Sequence, residues 1–307
     1  MAFSVLPRTV GQYLLKNYHY LNKNRARNMS SSDDKNMDKC YEEVLKLVDQ
    51  AGELISKRND SRKEFVCKSG DIDLVTETDQ EVEKLLVKGL SSRFPSHKFI
   101  GEEDSADGVK EKLTDDPTWI IDPVDGTMNF VHGFPHSCIS IALLVDKVPE
   151  VAVVYNPMFN QKFTARKGQG SYYNGKKLEV SGQKDLGKAL IISEYGTSRD
   201  AEKLEAVVKN FKIMAQKAHG IRVLGSAALN MCHVAMGCAD ANYEMGLHAW
   251  DMAAGDLIVR EAGGVVMDPT GKPLDIMSRR VLAASSQELA LEISKNLTQY
   301  YPLPRDD

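Results

Sequence analysis

Long apolar runs are missing from this chain of 307 residues, which has no stretch of about 18 consecutive apolar residues. We therefore expect no helix that spans a membrane. An excess of basic residues is also missing, since the formal net charge is −4 and the isoelectric point is near 6.0. That charge gives no support for a protein that binds nucleic acid. Internal repeats and low-complexity segments are absent from the sequence as well.

Closely spaced cysteine pairs are the next absence. The five cysteines are odd in number and form no Cys-x-x-Cys pair. This usage is typical of free thiols in a reducing compartment, and it argues against a disulfide framework or a zinc site. We therefore expect a cytoplasmic protein.

Acidic residues are missing from the first 32 positions, which hold five basic ones: Arg8, Lys16, Lys23, Arg25 and Arg27. A mitochondrial transit peptide has this basic, acid-free composition. A flexible extension ahead of the polar linker that Met29 opens is the alternative, and we favour it. We expect an extension over residues 1–36 and one catalytic domain over 37–307, with an α+β half (about 37–185) and an α/β half (about 186–307).

Apolar spacing predicts the secondary structure. An amphipathic helix is expected over 38–58, and a second helix is expected to begin at Thr78, where Thr78 and Glu81 match a capping box. Successive strand-like segments between 98 and 165, and a hairpin turn at Asn174–Gly175, favour antiparallel pairing in the first half. From residue 189 onward, strands and helices alternate, which is typical of an α/β fold.

Four acidic clusters follow or precede apolar segments, where ligands are commonly presented. They are Asp73–Asp79, Gly101–Glu103, Asp122 with Asp125, and Trp250–Asp251. Any one of these clusters alone is more often a solvated surface or a helix cap than a metal site. Asp79, for example, would be favourable at a helix N-terminus.

The segment Asp122-Pro-Val-Asp-Gly-Thr127 differs from the other acidic clusters, because core packing does not require this combination of residues. Pro123 fixes its own backbone angle and favours an extended Asp122, so Asp122 and Asp125 can reach a common point. Carboxylates hold a hard cation such as Mg²⁺, and backbone amides at a turn can hold phosphate oxygens. The segment therefore indicates metal-assisted phosphoryl chemistry.

The chain resembles the inositol monophosphatase family of magnesium-dependent, lithium-sensitive phosphatases from about Asp38 to its end. The resemblance rests on Trp-x-Ile-Asp-Pro-Val-Asp-Gly-Thr-x-Asn-Phe at 119–130 and on Trp-Asp-x-Ala-Ala-Gly at 250–255. Shorter matching segments lie at 73–76, 101–103, 225–228 and 243–246. It implies an α/β fold, a layered α-β-α-β-α sandwich of the inositol monophosphatase and sugar phosphatase type.

The resemblance also implies which residues bind metal and water. Two or three Mg²⁺ ions would be held by Glu102, Asp122, the main-chain carbonyl of Val124, Asp125 and Asp251. Thr127 and Glu102 would position and deprotonate the attacking water. Asp79 would support Thr127 from behind.

The substrate side is implied in the same way. The amides of Gly126 and Thr127, with Asp125 close by, would hold the phosphate, and Lys68 would lie near it. Contacts with the hydroxyls of the sugar alcohol would come from Gly225, Ser226, Ala227, Glu244 and Asp251. Ser226 stands where a threonine is common in the family, and the hydroxyl is kept.

The implied activity is the hydrolysis of myo-inositol monophosphates, for inositol synthesis and recycling in phosphatidylinositol signalling. Lithium inhibition and a homodimer are implied too. Two alternatives stay open: the same chemistry on fructose 1,6-bisphosphate or 3′-phosphoadenosine 5′-phosphate, or a catalytically silent scaffold. No basic cluster for a second phosphate lies beside the motifs, and no ligand is missing, so both rank below inositol monophosphate.

Overall fold

The structure, a computed structural model, describes residues 31–58, 66–67, 74–106 and 112–306. The chain divides into two compact units, Met1–Cys40 and Tyr41–Asp307. The described part of the first unit is helical, because helix α1 (Ser31–Arg58) begins there and ends in the second unit. The helix predicted over 38–58 is therefore confirmed, with an earlier start.

Two short strands and a helix follow α1. Strands β1 (Val66–Cys67) and β2 (Leu74–Val75) pair in antiparallel fashion, and helix α2 (Glu77–Arg93) comes next. The predicted start of α2 at Thr78 is wrong. Thr76 precedes the helix instead. Asp79 Oδ2 accepts hydrogen bonds from the Thr76 hydroxyl and, at 3.0 Å, from the backbone N–H of Thr76. Glu81 is not the capping partner, because its carboxylate binds Arg58 at 2.8 Å.

A seven-stranded sheet carries Asp122 and Asp125. Its strands lie in chain order: β3 (Lys98–Gly101), β4 (Thr118–Asp125), β5 (Cys138–Val145), β6 (Val148–Asn156), β7 (Gln161–Arg166), β8 (Gly170–Tyr173) and β9 (Lys176–Lys177). Helix α3 (Glu102–Ala106) follows β3, and helix α4 (Thr127–His132) follows β4. All pairs are antiparallel, as predicted, except β3 with β4. That pair is parallel because α3 and a longer connection carry the chain back to the same end.

A five-stranded sheet is formed by the second half, in the order β11-β10-β12-β14-β13. The elements, in chain order, are β10 (Leu190–Ser193), α5 (Ala201–Lys217), β11 (Gly220–Arg222), α6 (Ala227–Ala235), β12 (Ala241–Met245), α7 (Ala249–Glu261), β13 (Val265–Met267), β14 (Arg280–Ala284) and α8 (Gln287–Asn296). Strand β10 is parallel to β11 and β12, whereas β14 is antiparallel to β12 and β13. The predicted alternation of strands and helices is confirmed.

The helices and sheets form layers. One apolar cluster joins α6 and α7 to both sheets, for example through Leu229, Ile258, Ile120 and Val281. On the outer face of the five-stranded sheet, Met214 of α5 and Ile293 of α8 share a second cluster with β10 and β12. Helix α2 contacts β4 on the far side of the seven-stranded sheet. This is the expected layered α-β-α-β-α arrangement, and it places the ends of β4, β10 and β12 close to the starts of α6 and α7. None of the helices that the structure describes is both long enough and apolar enough to cross a membrane.

Candidate active site

Three carboxylates meet where β4 ends and α7 begins. Each of Asp122, Asp125 and Asp251 offers an oxygen within 4.8 Å of the others. Asp122 and Asp125 are only 2% and 6% exposed. Acids at this density are the oxygen donors that a hard divalent cation requires.

The backbone of β4 explains why two of these acids point to one place. Residues three apart in a regular strand face opposite sides of the sheet. The pairing of β4 with β5 shifts register between Asp122 and Asp125, however, and this irregularity brings both side chains to the same side. Asp122 Oδ1 also accepts the Val124 N–H at 3.0 Å, which fixes the turn around Pro123.

Asp125 is held by the start of α6. Its carboxylate accepts hydrogen bonds from the Ser226 hydroxyl at 2.6 Å and from the Ala228 and Ala227 amides at 2.8 and 3.2 Å. Burial raises the pKa of Asp125 to about 6, although these three donors oppose the rise. The donors thus orient an acid that the surrounding protein otherwise destabilises in its charged form.

Burial has the same effect on the other two acids. It raises the pKa of Asp251 to about 7, and the charge of Asp125 adds to the rise. The pKa of Asp122 lies well above its usual range, through burial and then the charges of Glu102 and Asp125. The His248 N–H binds Asp251 at 2.7 Å and partly compensates. A cluster of buried like charges fits a bound cation, which would remove their repulsion.

Glu102 lies at the edge of this cluster, at the start of α3. It is half-buried and shares a side-chain hydrogen bond with Asp122. The backbone behind it is fixed by Glu83 of α2, which accepts the Glu103 N–H at 3.1 Å. Gly101 leaves the room for that contact, because a Cβ there would lie 2.6 Å from the Glu83 carboxyl group.

Thr127 opens α4 and reaches towards α2. Its hydroxyl lies 3.1 Å from the Val124 carbonyl and 3.4 Å from Oδ1 of the fully buried Asp79, and it can donate to either oxygen. The carboxylate that caps α2 therefore also stands behind Thr127. Asp79, which could have been only a helix cap, is brought to the site.

The turn between Asp125 and Thr127 is closely packed. Gly126 has a φ of +88°, and a Cβ on it would lie 2.9 Å from the Gly225 carbonyl and 3.0 Å from the His136 carbonyl. Asn129 joins the same two loops, since its side-chain amide donates to His136 and Leu224 carbonyls at 2.8 Å each. The Gly225–Ala227 turn is thereby fixed against the Asp122–Thr127 segment.

Glu244 and Glu194 extend the site to the ends of β12 and β10. Glu244 is 5% exposed, and its Oε2 has no hydrogen-bond partner within the described residues. Glu194 Oε1 accepts the Leu224 and Gly225 amides at 2.7 and 2.9 Å, and the Asn230 side chain at 3.0 Å. Sequence reasoning missed Glu194, although it follows an apolar strand as Glu102 does, and the same signal would have found it.

The described site residues predicted from sequence are therefore brought together around one point. Those residues are Asp79, Glu102, Asp122, Val124, Asp125, Gly126, Thr127, Gly225, Ser226, Ala227, Glu244 and Asp251. Lys68 lies outside the described residues, so its predicted role near the phosphate stays a prediction.

Comparisons with known proteins match nearly the whole described chain. The model of the Inositol monophosphatase family covers residues 36–300. Human inositol monophosphatase 1 is 50% identical over 269 residues, which is 87% of this chain and 97% of that protein. Human inositol monophosphatase 2 is 46% identical over 271 residues, 88% of this chain and 94% of that protein.

Solved structures agree with the sequence matches. An inositol monophosphatase from Anabaena (Nostoc) superposes with a TM-score of 0.75 at 30% identity, covering 87% of this chain and 98% of that one. An IMPase from Thermotoga maritima gives a TM-score of 0.75 at 32% identity, with 84% and 96% covered.

Proposed function

This chain belongs to the inositol monophosphatase family, and we propose that it hydrolyses myo-inositol monophosphates to myo-inositol and inorganic phosphate. The observation that carries the proposal is the convergence of Asp122, Asp125 and Asp251 within 4.8 Å. The Thr127 hydroxyl lies 3.1 Å from the Val124 carbonyl of the same segment, and the buried Glu244 is close enough to interact with the charges of Asp251 and Asp125. This arrangement combines a cation site, a place for the attacking water and an acceptor for hydroxyl groups. The product would serve inositol synthesis and recycling for phosphatidylinositol signalling.

The donor set supports Mg²⁺ as the cation. Carboxylates of Glu102, Asp122, Asp125 and Asp251, with the Val124 carbonyl, would hold two or three ions. When bound, Mg²⁺ supplies charge that makes water more acidic and stabilises a leaving alkoxide. Li⁺ is similar in size with half the charge, so we propose that it inhibits.

The protein residues would orient the reactants. Glu102 accepts a proton from the water, and the Thr127 hydroxyl, supported by Asp79, fixes where the water sits. The water oxygen bonds to phosphorus as the ester oxygen leaves with the electron pair of the broken P–O bond, and that oxygen takes up a proton from solvent to become a hydroxyl of myo-inositol. Amides of Gly126 and Thr127 hold the phosphate oxygens, where charge develops. Glu244 and the Gly225–Ala227 turn contact the hydroxyls of the ring.

A direct test is phosphate release from inositol 1-phosphate with Mg²⁺ by the wild type and by Asp122→Asn. We expect a loss of at least about 100-fold, as for removal of other groups that stabilise the transition state. The variant should keep its melting temperature, because it removes one of several buried charges that repel each other. Asp116→Asn is the matched control, since Asp116 is exposed and binds Lys98. Undiminished turnover by Asp122→Asn would rule out the proposed cation site.

The same assay defines the substrate. Rates on inositol 1-phosphate, fructose 1,6-bisphosphate and 3′-phosphoadenosine 5′-phosphate should rank inositol 1-phosphate first. A higher kcat/KM on either of the others would assign the same chemistry to a different substrate.

Three finer points remain part of the proposal. We propose one catalytic domain over 37–307 after an extension over 1–36, which the family match over 36–300 supports. We also propose a homodimer, as the family resemblance implies, to be measured by analytical ultracentrifugation. A cytoplasmic location is proposed, and imaging with and without residues 1–32 distinguishes it from a mitochondrial one.

A further inference from the structure

A lysine is buried beside the proposed hydroxyl acceptor. Lys203 projects from the first turn of α5 and is only 1% exposed. Taking an ammonium group out of water is costly unless an opposite charge compensates it. A lysine in this position therefore requires an explanation from its surroundings.

Two glycines make the space for the ammonium group. A Cβ on Gly196 would lie 2.6 Å from Lys203 Nζ, and a Cβ on Gly246 would lie 2.7 Å from it. The same Cβ on Gly196 would lie 3.5 Å from Glu244 Oε1. Lys203 and Glu244 thus lie around one point, at the ends of the parallel strands β10 and β12.

The charges around this pair come from several elements. Glu194 directly follows β10, and Asp125 and Asp251 lie in the cation site. Arg199 and Arg279 directly precede the starts of α5 and β14. Burial is the main cause that lowers the pKa of Lys203 and raises that of Glu244. The charge of Lys203 lowers the pKa of Glu244, whereas the charges of Glu194, Asp251 and Asp125 raise it.

Glu244 keeps a hydrogen-bond acceptor that the described residues do not use. Glu244 Oε2 is buried and has no hydrogen-bond partner among the described residues, so an acceptor remains available. Lys203 is too buried to bind an anionic substituent directly.

We propose that Lys203 determines specificity for a neutral polyol: its buried ammonium is the counter-charge that allows Glu244 to face the ring hydroxyls as a carboxylate. This inference rests on the proposed function and names the residue that sets its substrate class. Lys203 touches neither the phosphate nor the reacting atoms. It is a positioning residue that acts through Glu244.

The test compares two substrates in the Mg²⁺-loaded enzyme. Inositol 1-phosphate offers ring hydroxyls, and phenyl phosphate offers none. In Lys203→Met we expect KM for inositol 1-phosphate to rise about tenfold or more, as for loss of a hydrogen bond to a charged group. Its kcat, and both constants for phenyl phosphate, should change less than about twofold. Lys209→Met is the matched control, because Lys209 is exposed on the same helix.

A pH profile separates this role from a purely structural one. Without Lys203, the pKa of Glu244 rises further. As the pH is lowered, the variant should therefore lose affinity for inositol 1-phosphate at a higher pH than the wild type does. In the Glu244→Gln background, adding Lys203→Met should change KM little, since a neutral amide needs no counter-charge. Lys203→Gln replaces Lys203→Met if thermal unfolding shows that the methionine variant does not fold.

The outcomes are distinct. Equal losses on both substrates, or no change on either, would overturn the role of Lys203 while leaving the proposed function intact. A wild-type enzyme with no preference for inositol 1-phosphate over phenyl phosphate would refute the proposed function, and the role of Lys203 with it.

Discussion

The Ser226 hydroxyl donates a 2.6 Å hydrogen bond to Asp125 Oδ2, across 101 residues of sequence. Ser226 is also the N-cap residue of α6, where its Oγ accepts the Leu229 N–H at 3.4 Å. One side chain thus begins a helix and orients a carboxylate of the candidate cation site. The start of α6 and the end of β4 are joined at this point.

Replacing Ser226 should therefore affect both stability and metal dependence. We expect Ser226→Ala to lower the free energy of unfolding by about 1–2 kcal/mol, because it removes an N-cap and a bond to a buried carboxylate. The Mg²⁺ concentration for half-maximal activity should rise. Chemical denaturation and a Mg²⁺ titration measure the two effects. Ser226→Thr keeps the hydroxyl and should stay close to wild type; equal behaviour of both variants would contradict the assignment.

Gly126 allows a second prediction, because α4 has a left-handed glycine at each end. Gly126→Ala would place a Cβ 2.9 Å from one backbone carbonyl and 3.0 Å from another, which a backbone can relieve only by moving. Gly133 also has a positive φ, of +68°, but nothing lies within 4 Å of its Cβ position. We expect Gly133→Ala to cost about 1 kcal/mol of unfolding free energy from its φ alone.

Gly126→Ala should cost clearly more than Gly133→Ala and reduce phosphate release at least tenfold, because the turn that it distorts lies between Asp125 and Thr127. Turnover by Gly133→Ala should remain close to wild type. Equal turnover by the two variants would mean that the packing of Gly126 does not position the site.

Two half-buried imidazoles predict that the folded protein is less stable at acid pH. The centroids of the His136 and His233 rings lie 5.5 Å apart. His136 Nε2 and His233 Nδ1 are buried atoms without a hydrogen-bond partner in the described part of the chain. Burial, and then the charge of His233, lower the pKa of His136 to about 4. Between pH 6.5 and that value the unfolded chain binds a proton that the folded chain does not, so folding stability falls as the pH falls.

His136→Phe removes this dependence. Relative to the variant, the wild type should lose about 2 kcal/mol of unfolding free energy between pH 7 and pH 5. Urea denaturation at both pH values measures the difference. His132→Phe serves as the control because His132 is exposed, and it should follow the wild type. A His136→Phe curve parallel to the wild type would show that the His136 imidazole titrates normally.

The local elements were predictable from sequence, because periodicity and turn residues act over a few positions. Strands Lys98–Gly101, Thr118–Asp125 and Cys138–Val145 lie in the region between 98 and 165 where successive strands are predicted. The start of α2 was missed by one residue, since two threonines two positions apart both precede an acid at capping distance. Only the packed structure selects Thr76, whose amide and hydroxyl bind the buried Asp79.

The site residues that lie together in one sequence motif were predictable. Those that come together only through folding were less so. Asp122 and Asp125 lie in one unusual segment, and the family resemblance supplied their partners. Lys203 gave no signal, because a lysine in the first turn of an amphipathic helix is ordinarily a solvated residue. Its burial depends on Gly196 and Gly246, which follow β10 and β12. No sequence pattern links these glycines to Lys203, and only the fold brings them next to it.

The last residues of the chain support the start of α7, and this leads to a final prediction. Asp306 Oδ2 accepts the Ala249 N–H at 2.9 Å, while Oδ1 lies 2.8 Å from His248 Nδ1. Arg279 contacts the other side of the same imidazole at 3.0 Å and binds the Pro304 carbonyl at 2.9 Å. Because Asp251 lies in the same helical turn as Ala249, the Asp306 contact fixes the backbone that carries a metal ligand.

Asp306→Ala removes an acceptor at a helix N-terminus, so we expect a loss of about 1–2 kcal/mol in unfolding free energy and a higher Mg²⁺ requirement. Arg305→Ala is the neighbouring control. It breaks an ion pair with Asp275 whose partners are 40% and 53% exposed, and such pairs contribute less than about 1 kcal/mol. Thermal unfolding and Mg²⁺ titration of both variants measure the effect. If Asp306→Ala lowers stability but leaves the Mg²⁺ requirement unchanged, then Ser140, which binds the Trp250 carbonyl at 3.0 Å, is sufficient to position Asp251.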